Sequence, residues 1–200
     1  MILLGIAGLA RSGKDTAANH LAEVLRLERY AFAEPLKTML KSVFGDHFHV
    51  GDRSGICPEA GISYRLLMQT LGTEWGREQV NPQLWVNLVD RHWNEVQYQA
   101  KFADTYRRAF ETDPPNGMIL SDVRFDSEAK WIKDNGGFII HISRPETERS
   151  GAPREGSHAS EDGITLSYAD VCLINDGDIE DLKIQLTAAY SIMRNRKHGS

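Results

Sequence analysis

Residues 2–16, ILLGIAGLARSGKDT, decide the fold class of this chain. The first six of them form an apolar run that is typical of a strand buried on both faces. The stretch from Gly8 to Lys14 matches the pattern G-x-x-x-x-G-K, and residues 13–27 follow with the apolar spacing of an amphipathic helix. Such a loop surrounds phosphate oxygens with backbone N–H groups, and the helix N-terminus adds favourable partial charge. The sequence therefore predicts a phosphate-binding loop and, with it, nucleotide binding.

Lys14 is the first candidate for catalysis, because a lysine at this place reaches the β- and γ-phosphates and neutralises charge as the phosphoryl group moves. Asp15 stands where Ser or Thr is usual, which removes the hydroxyl that ordinarily touches Mg²⁺. Two alternatives follow. Either Thr16 contacts the nucleotide phosphates while Mg²⁺ is held through water, or Asp15 reaches the metal shell.

The remainder of the chain alternates apolar runs with amphipathic segments. Strands are predicted at residues 118–120, 138–142 and 171–174, with a shorter one at 30–33. Helices are predicted at residues 35–44, 63–75, from 82 onward, at 127–134 and at the C-terminus, where one face carries Ile179, Leu182, Leu186, Ala189, Tyr190 and Met193. This alternation is typical of an α/β fold with a mainly parallel sheet.

Composition narrows the function classes. The 200 residues are 41% hydrophobic and 26% charged, an ordinary globular mix, and the net charge of −5 argues against a general nucleic-acid binder. Two cysteines, Cys57 and Cys172, form no disulfide framework, so a cytoplasmic location is expected. The apolar start of the chain is too short to cross a membrane and lacks a preceding positive charge, so we expect a soluble protein without a membrane partner.

Ligands of open α/β sheets bind beyond the carboxyl ends of the strands, so polar residues there are candidates. Asp122 comes just past a predicted strand and can hold Mg²⁺ through water or orient the acceptor. Arg124 can grip a phosphate. Glu128, one helical turn later, either orients Arg124 or is an exposed partner at i, i+4. The structural alternative for the first two is an Asp helix cap with a surface Arg.

A second group lies on a predicted helix. Arg65, Gln69 and Thr73 recur at i, i+4 and i+8, and Arg77 follows beyond the expected helix end. A face with these side chains suits a phosphate and a base edge, although an ordinary solvated face has the same pattern. Lys37 points into the same cleft or is merely solvated.

The long polar segment from Ser143 to Gly163 carries Arg144, Arg149 and Arg154, followed by His158. Loops of this length are usually lids or disordered segments. A lid would exclude water, which a kinase needs so that ATP is not hydrolysed, and its arginines would neutralise the moving phosphoryl group.

Seven short motifs, in this order along the chain, make it resemble the deoxynucleoside monophosphate kinases of tailed bacteriophages. They are Ser12-Gly13-Lys14-Asp15-Thr16, Phe32-Ala33-Glu34-Pro35-Leu36-Lys37, Leu71-Gly72-Thr73-Glu74 with Arg77, Asp122-Val123-Arg124-Phe125 with Glu128, Arg144-Pro145, His158-Ala159-Ser160-Glu161 and Ile174-Asn175. In that family an aspartate after the loop lysine is the usual form. The resemblance implies a P-loop nucleoside monophosphate kinase-like fold of three layers, with helices on both faces of the sheet. It implies one domain over residues 1–200, with an acceptor-binding helical region at about 34–100 and a lid at about 144–163.

The same resemblance implies transfer of the ATP γ-phosphoryl group to a deoxynucleoside monophosphate, with Mg²⁺, and allows a homodimer. The residues and the resemblance together assign catalysis to Lys14, Asp122 and Arg124. ATP is assigned to Arg11, Ser12, Gly13, Lys14, Asp15, Thr16 and Arg144. The acceptor is assigned to Lys37, Arg65, Gln69, Thr73, Arg77, Arg124, Glu128, His158, Ser160 and Glu161, and the metal to Asp15, Thr16 and Asp122.

Two other functions stay open at this point. One is a related kinase with another phosphorylated acceptor, such as phosphomevalonate kinase or, more distantly, dephospho-coenzyme A kinase. The other is a nucleotide-binding protein without turnover. The sequence does not distinguish the bases that the enzyme accepts.

Overall fold

The computed structural model of the chain describes residues 1–45, 55–145 and 163–198. The chain divides into two compact units. The sheet unit comprises residues 1–31 and 90–200, and the helical unit comprises residues 32–89.

The sheet unit is built on five parallel strands. They are β1 (Ile2–Ala7), β2 (Glu28–Tyr30), β3 (Gly117–Val123), β4 (Phe138–Ser143) and β5 (Val171–Ile174), in the order β2-β3-β1-β4-β5. The central strand is β1, where Leu4 lies opposite Ile119 of β3 and Phe138 of β4. The strands predicted at residues 2–7, 118–120, 138–142 and 171–174, and the parallel sheet, are therefore confirmed.

Seven α-helices are described. They are α1 (Lys14–Leu25), α2 (Glu34–Phe44), α3 (Tyr64–Gln69), α4 (Leu84–Lys101), α5 (Ala103–Phe110), α6 (Asp126–Asp134) and α7 (Ile179–His198). A π-helical segment (Thr70–Val80) continues α3, and a 3₁₀ turn (Leu166–Tyr168) precedes β5. Within the described part of the chain, no helix is both long enough and apolar enough to span a membrane.

The side chains of β1 show why helices cover both faces of the sheet. Leu4 and Ile6 are fully buried in a core that includes α1 and Leu186 of α7. Gly5 faces the other way, since successive strand residues alternate, and a Cβ there would lie 2.6 Å from Cδ1 of Ile132 in α6. Thus α1 and α7 cover one face and α6 covers the other, which confirms the three-layer arrangement. Each such buried Leu or Ile contributes about 1.5–3 kcal/mol, more than a typical exposed ion pair.

The helical unit contains α2, α3, the π-helical segment and the first residues of α4. Its core is formed by Leu36, Leu40 and Trp85, against which residues of α3 and the π-helical segment pack. Ser63 caps α3, because its Oγ accepts a hydrogen bond from the Leu66 amide at 3.1 Å. The predicted helix start at Ser63 is confirmed.

Three predicted details are wrong. The second strand is formed by Glu28–Tyr30, which pairs with residues 118–120, and not by residues 30–33. The more apolar Ala31 and Phe32 are buried beyond the strand's end, so their hydrophobicity reflects burial in a turn. In α7, Ile179 is 59% exposed, although the other predicted core positions of that helix are buried or half-buried.

The third error concerns the helix predicted at residues 63–75. It is α-helical only to Gln69 and π-helical from Thr70 to Val80. A π-helix bonds residues i and i+5, so the 3.6-residue period that motivated the prediction does not apply beyond Thr70.

A histidine joins β2 to α4 within the sheet unit. His92 Nε2 lies 2.7 Å from Glu28 Oε1, its Nδ1 lies 3.4 Å from a Glu95 carboxylate oxygen, and its ring stacks on Tyr30 with centroids 4.0 Å apart. The hydrogen bond to Glu28 raises the pKa of His92, and partial burial opposes this without cancelling it.

This contact should make stability depend on pH. The folded-state pKa of His92 lies above the unfolded value, so its stabilisation is fully present below the unfolded pKa of about 6.5 and is lost as pH rises through the folded pKa. The substitution His92→Gln should therefore reduce the unfolding free energy more at about pH 6 than at about pH 9, measured by urea denaturation. His20→Gln is the control, because His20 contacts the neutral hydroxyl of Thr187. An equal loss at both pH values for His92→Gln would contradict the expectation.

Candidate active site

The phosphate loop has no space for a side chain at either of its two glycines, Gly8 and Gly13. Gly8 has φ +137° and Gly13 has φ +103°, both in the region that favours glycine. A Cβ at Gly8 would lie 2.1 Å from the carbonyl oxygen of Ile142 in β4, and one at Gly13 would lie 2.6 Å from Nδ2 of Asn175. The spacing of G-x-x-x-x-G-K is therefore set by close approach of the backbone to the strand ends.

The lysine of the loop folds back over it. Lys14 Nζ donates a hydrogen bond to the Leu9 carbonyl at 2.5 Å. Lys14 is also the first residue of α1, and Gly13 before it has no side chain with which to cap the helix. The N-terminus of α1 therefore combines an ammonium group with backbone amides, an arrangement that suits phosphate.

Ser12 is a buried polar residue of the loop. Its side chain is fully buried, and its Oγ has no hydrogen-bond partner among the described residues. Its backbone carbonyl accepts a hydrogen bond from Asn175 Nδ2 at 2.9 Å. A buried hydroxyl without a partner is costly, so a ligand atom that reaches the loop would relieve that cost.

Asn175 anchors the loop to the sheet. It directly follows β5, is 6% exposed, and its backbone N–H donates to the Ser143 carbonyl at 2.8 Å. Asn175 lies in one of the family motifs, but it was not predicted as a site residue. The rule that selected Asp122, a polar residue directly after a buried strand, also selects Asn175.

Asp15 is turned toward β2. Its exposed carboxylate forms an ion pair with Arg29, and Arg29 also donates to Asn19 Oδ1 at 2.6 Å. Arg29 was missed by the sequence reasoning, because no motif marks a residue that acts through Asp15 alone.

The end of β3 carries the next group. Asp122 is the penultimate residue of β3 and is half-buried. Glu128 accepts hydrogen bonds from the backbone amides of Arg124 at 2.7 Å and Phe125 at 3.2 Å. Glu128 is 2% exposed, so of its two predicted roles the exposed i, i+4 partner is wrong. Its carboxylate caps the first turn of α6 and thereby fixes the backbone that carries Arg124.

Topology brings the candidates of the sheet unit to one edge of the sheet. The loop follows β1, Asp122 and Arg124 lie at the end of β3, Arg144 follows β4, and Asn175 follows β5. Because these strands are parallel, their carboxyl ends meet at the edge where α/β proteins bind ligands.

The remaining candidates lie in the helical unit or outside the described residues. Arg65 and Gln69 share a face of α3, whereas Thr73 and Arg77 lie in the π-helical segment, so the predicted i, i+4, i+8 face holds for the first pair only. Lys37 of α2 pairs with Glu34 at 3.2 Å. The lid candidates outside the described residues are Arg149, Arg154, His158, Ser160 and Glu161.

A sequence model of the deoxynucleotide monophosphate kinase family matches residues 2–57 and 53–186 of the chain. The chain belongs to this family. It is thus a kinase, an enzyme that transfers a phosphoryl group, and the predicted family is confirmed.

Individual relatives agree. The kinase is 30% identical over 196 residues to a protein of Acanthamoeba polyphaga mimivirus, provisionally named a deoxynucleotide monophosphate kinase, and the alignment covers 93% of this chain and 94% of that protein. It is 29% identical over 120 residues to the deoxynucleotide monophosphate kinase of Enterobacteria phage T4, covering 60% of this chain and 42% of that protein. The chain thus spans less than half the length of the phage enzyme.

The fold also has a solved counterpart. Shikimate kinase from Aquifex aeolicus superimposes with a TM-score of 0.51 and 12% identity, covering 100% of both chains. At this identity the similarity concerns the fold alone, and it confirms the P-loop kinase architecture.

The anchor of the phosphate loop is testable. Asn175→Ala should weaken ATP·Mg²⁺ binding about tenfold, because it leaves a buried carbonyl of the loop without its donor. The matched control is Asn116→Ala, since Asn116 Nδ2 donates to the Leu25 carbonyl at the same 2.9 Å, outside the loop. The dissociation constants come from isothermal titration calorimetry. Equal weakening in both variants, or none in Asn175→Ala, would contradict the anchoring role.

Proposed function

We propose that this kinase transfers the γ-phosphoryl group of ATP to a deoxynucleoside monophosphate, giving ADP and a deoxynucleoside diphosphate. The observation that carries the proposal is the phosphate loop, in which glycines occupy the two positions without space for a side chain, within a chain of this kinase family. A P-loop alone indicates a nucleotide, and the family supplies the acceptor class.

The donor residues are those of the loop, Arg11 to Thr16. The cradle fits a polyphosphate, because it combines the α1 N-terminus, the Lys14 ammonium and the buried, unpartnered Ser12 hydroxyl seen among the described residues. We assign to Lys14 the β- and γ-phosphates, where its charge stabilises the transferring group. Arg144, directly after β4, is assigned to the same phosphates.

The residues at the sheet edge also fit Mg²⁺, which binds oxygen atoms and usually takes one or two carboxylates together with substrate phosphates. Asp122 offers a carboxylate at the end of β3, and Thr16 offers a hydroxyl in the first turn of α1. We assign the ion to Asp122 and Thr16 through water, with Asp15, whose exposed carboxylate forms an ion pair with Arg29, as the third candidate. Within the described ranges, no three His, Cys, Asp or Glu side chains cluster as a metal site. When bound, the ion neutralises phosphate charge and orients the reacting groups.

The acceptor monophosphate is assigned to residues of the helical unit. Arg65 and Arg77 supply the forked guanidinium groups that match a phosphate, and Lys37 adds a further cation. Gln69 and Thr73 can both donate and accept hydrogen bonds, as a base edge requires. Arg124 is assigned to the phosphate as well, while Glu128, whose carboxylate binds backbone amides, positions it.

Phosphoryl transfer to a monophosphate depends on positioning and charge stabilisation more than on a general base, because the attacking atom is itself a phosphate oxygen. Lys14 and Arg124 stabilise the negative charge of the phosphoryl group during transfer, and Asp122 would hold the metal ion in place. The segment at about 144–163 is proposed as the lid, with His158, Ser160 and Glu161 near the acceptor.

The first experiment is a coupled ADP-release assay with ATP·Mg²⁺. The acceptors are dGMP, dTMP, dCMP, dAMP, their ribose forms and mevalonate phosphate. Lys14→Ala should lower kcat by about 10²–10³-fold with any acceptor used, because it removes a cation that acts on the transition state. Lys130→Ala is the matched control, since Lys130 forms a surface ion pair with Asp134 on α6.

The outcomes separate the functions. Turnover with deoxynucleoside monophosphates that is lost in Lys14→Ala and kept in Lys130→Ala supports the proposal. Turnover with mevalonate phosphate and with no nucleotide would show that the acceptor is not a nucleoside monophosphate. Binding of ATP without turnover of any acceptor would leave a nucleotide-binding protein, and unchanged turnover in Lys14→Ala would refute the donor site.

A further inference from the structure

The π-helical segment is unusual in its length. It runs for 11 residues from Thr70 to Val80, whereas π-helical bonding ordinarily appears as a single-turn bulge inside an α-helix, often at a functional site. Its last hydrogen bond joins the Asn81 amide to the Gly76 carbonyl, five residues earlier, at 3.0 Å. Because π-helical bonding is rare, the contacts that meet this segment from elsewhere in the helical unit bear on its role.

The contact that holds it comes from α4. Trp85 Nε1 donates a hydrogen bond to the Gly72 carbonyl at 2.6 Å. Trp85 is 3% exposed and is part of the core of the helical unit, with Leu36 and Leu40. The indole is therefore fixed by packing on one side and directs its N–H at the backbone of the π-helical segment.

A second contact lies four residues further along. A Cβ at Gly76 would stand 2.5 Å from Cζ2 and 2.8 Å from Cε2 of Trp85, so the ring lies directly against the backbone there. The indole thus touches the segment at two points, Gly72 through its N–H and Gly76 through the ring atoms Cζ2 and Cε2. These two contacts set the register of the segment.

We propose that Trp85 is a positioning residue for the acceptor nucleotide, and this inference rests on the proposed function. Thr73 follows Gly72 directly and Arg77 follows Gly76 directly, so each candidate adjoins one of the two backbone points that the indole holds. Loss of the indole N–H releases the Gly72 carbonyl, loosens the π register and shifts both side chains. The donor residues of the phosphate loop depend on other contacts.

The chain offers a matched pair of variants. Trp85→Phe removes the N–H donor and keeps an aromatic ring. Trp93→Phe makes the same change in the same helix at the same 3% exposure, but Trp93 Nε1 has no hydrogen-bond partner in the described part of the chain, so no bond is lost there. The pair therefore isolates the hydrogen bond from the general effect of shrinking a buried tryptophan.

Steady-state kinetics of both variants test the proposal, with ATP·Mg²⁺ and whichever of dGMP, dTMP, dCMP and dAMP the wild type uses best. Trp85→Phe should raise KM for the monophosphate about tenfold and change KM for ATP by no more than about twofold. Trp93→Phe should change both constants by no more than about twofold. An equal rise of both KM values in Trp85→Phe, or no rise for the monophosphate, would overturn the inference.

Hydrogen exchange supplies a readout independent of activity. Amides of residues 70–80 should exchange faster in Trp85→Phe than in wild type, with those of α7 unchanged, and Trp93→Phe should not show this difference. Gly76→Ala, which drives a methyl group into the indole, should reproduce the kinetic split if Trp85→Phe does not fold. Unchanged amide exchange in residues 70–80 of Trp85→Phe would overturn the inference that the indole holds this segment.

Failure of the inference is distinguishable from failure of the proposed function. A wild-type enzyme that phosphorylates none of the four monophosphates would refute the function, and the acceptor role of Trp85 with it. An active wild type whose monophosphate KM is the same in Trp85→Phe would refute the inference alone.

Discussion

The phosphate loop of this kinase lies so close to the ends of β4 and β5 that its backbone has no space for a Cβ at Gly8 or Gly13. The rest of the sheet unit supports this approach. β1 must lie at the centre of the sheet for its loop to meet the neighbouring strand, and the apolar side chains of β1 hold it there between two helical layers. The last contact is polar, because Asn175 ties the buried carbonyl of Ser12 to the end of β5. Hydrophobic burial supplies most of the stability, and one amide supplies the position of the loop.

Most of the fold could be predicted from the sequence because buried parallel strands are uniformly apolar. β1, β3, β4 and β5 each contain an apolar run, and the alternation of these runs with amphipathic helices indicates the fold class. β2 could not be located, since a three-residue edge strand carries no such run and its polar Glu28 and Arg29 pair with β3 through backbone bonds alone. The π-helical segment was equally hidden. Its sequence has no feature that distinguishes i+5 from i+4 bonding, and the hydrogen bond that it receives from Trp85 comes from a residue 13 positions after Gly72 in the chain.

The candidate site shows the same division. Motif spacing identified the phosphate loop, and the rule that ligands lie beyond strand ends identified Asp122 and Arg124. The motifs gave less information on residues that contact other candidates, such as Glu128 and Arg29. For Glu128 the spacing alone left two roles open, and the structure excludes the exposed partner because its carboxylate is buried against two backbone amides. Arg29 gave no signal, because an ion pair between β2 and α1 depends on tertiary geometry.

Donor and acceptor residues are held by different kinds of constraint. The donor loop is restricted by backbone contact at two glycines, so a side chain at either position would collide with main-chain or buried amide atoms that cannot move. The acceptor candidates Thr73 and Arg77 directly follow Gly72 and Gly76, which the Trp85 indole contacts within the helical unit. If these candidates bind the acceptor as proposed, a substitution that repacks the indole changes acceptor binding and leaves the fold of the phosphate loop intact. A side chain at Gly8 or Gly13, in contrast, displaces the backbone of the loop itself. A P-loop fold can therefore change its acceptor residues while it keeps one type of loop.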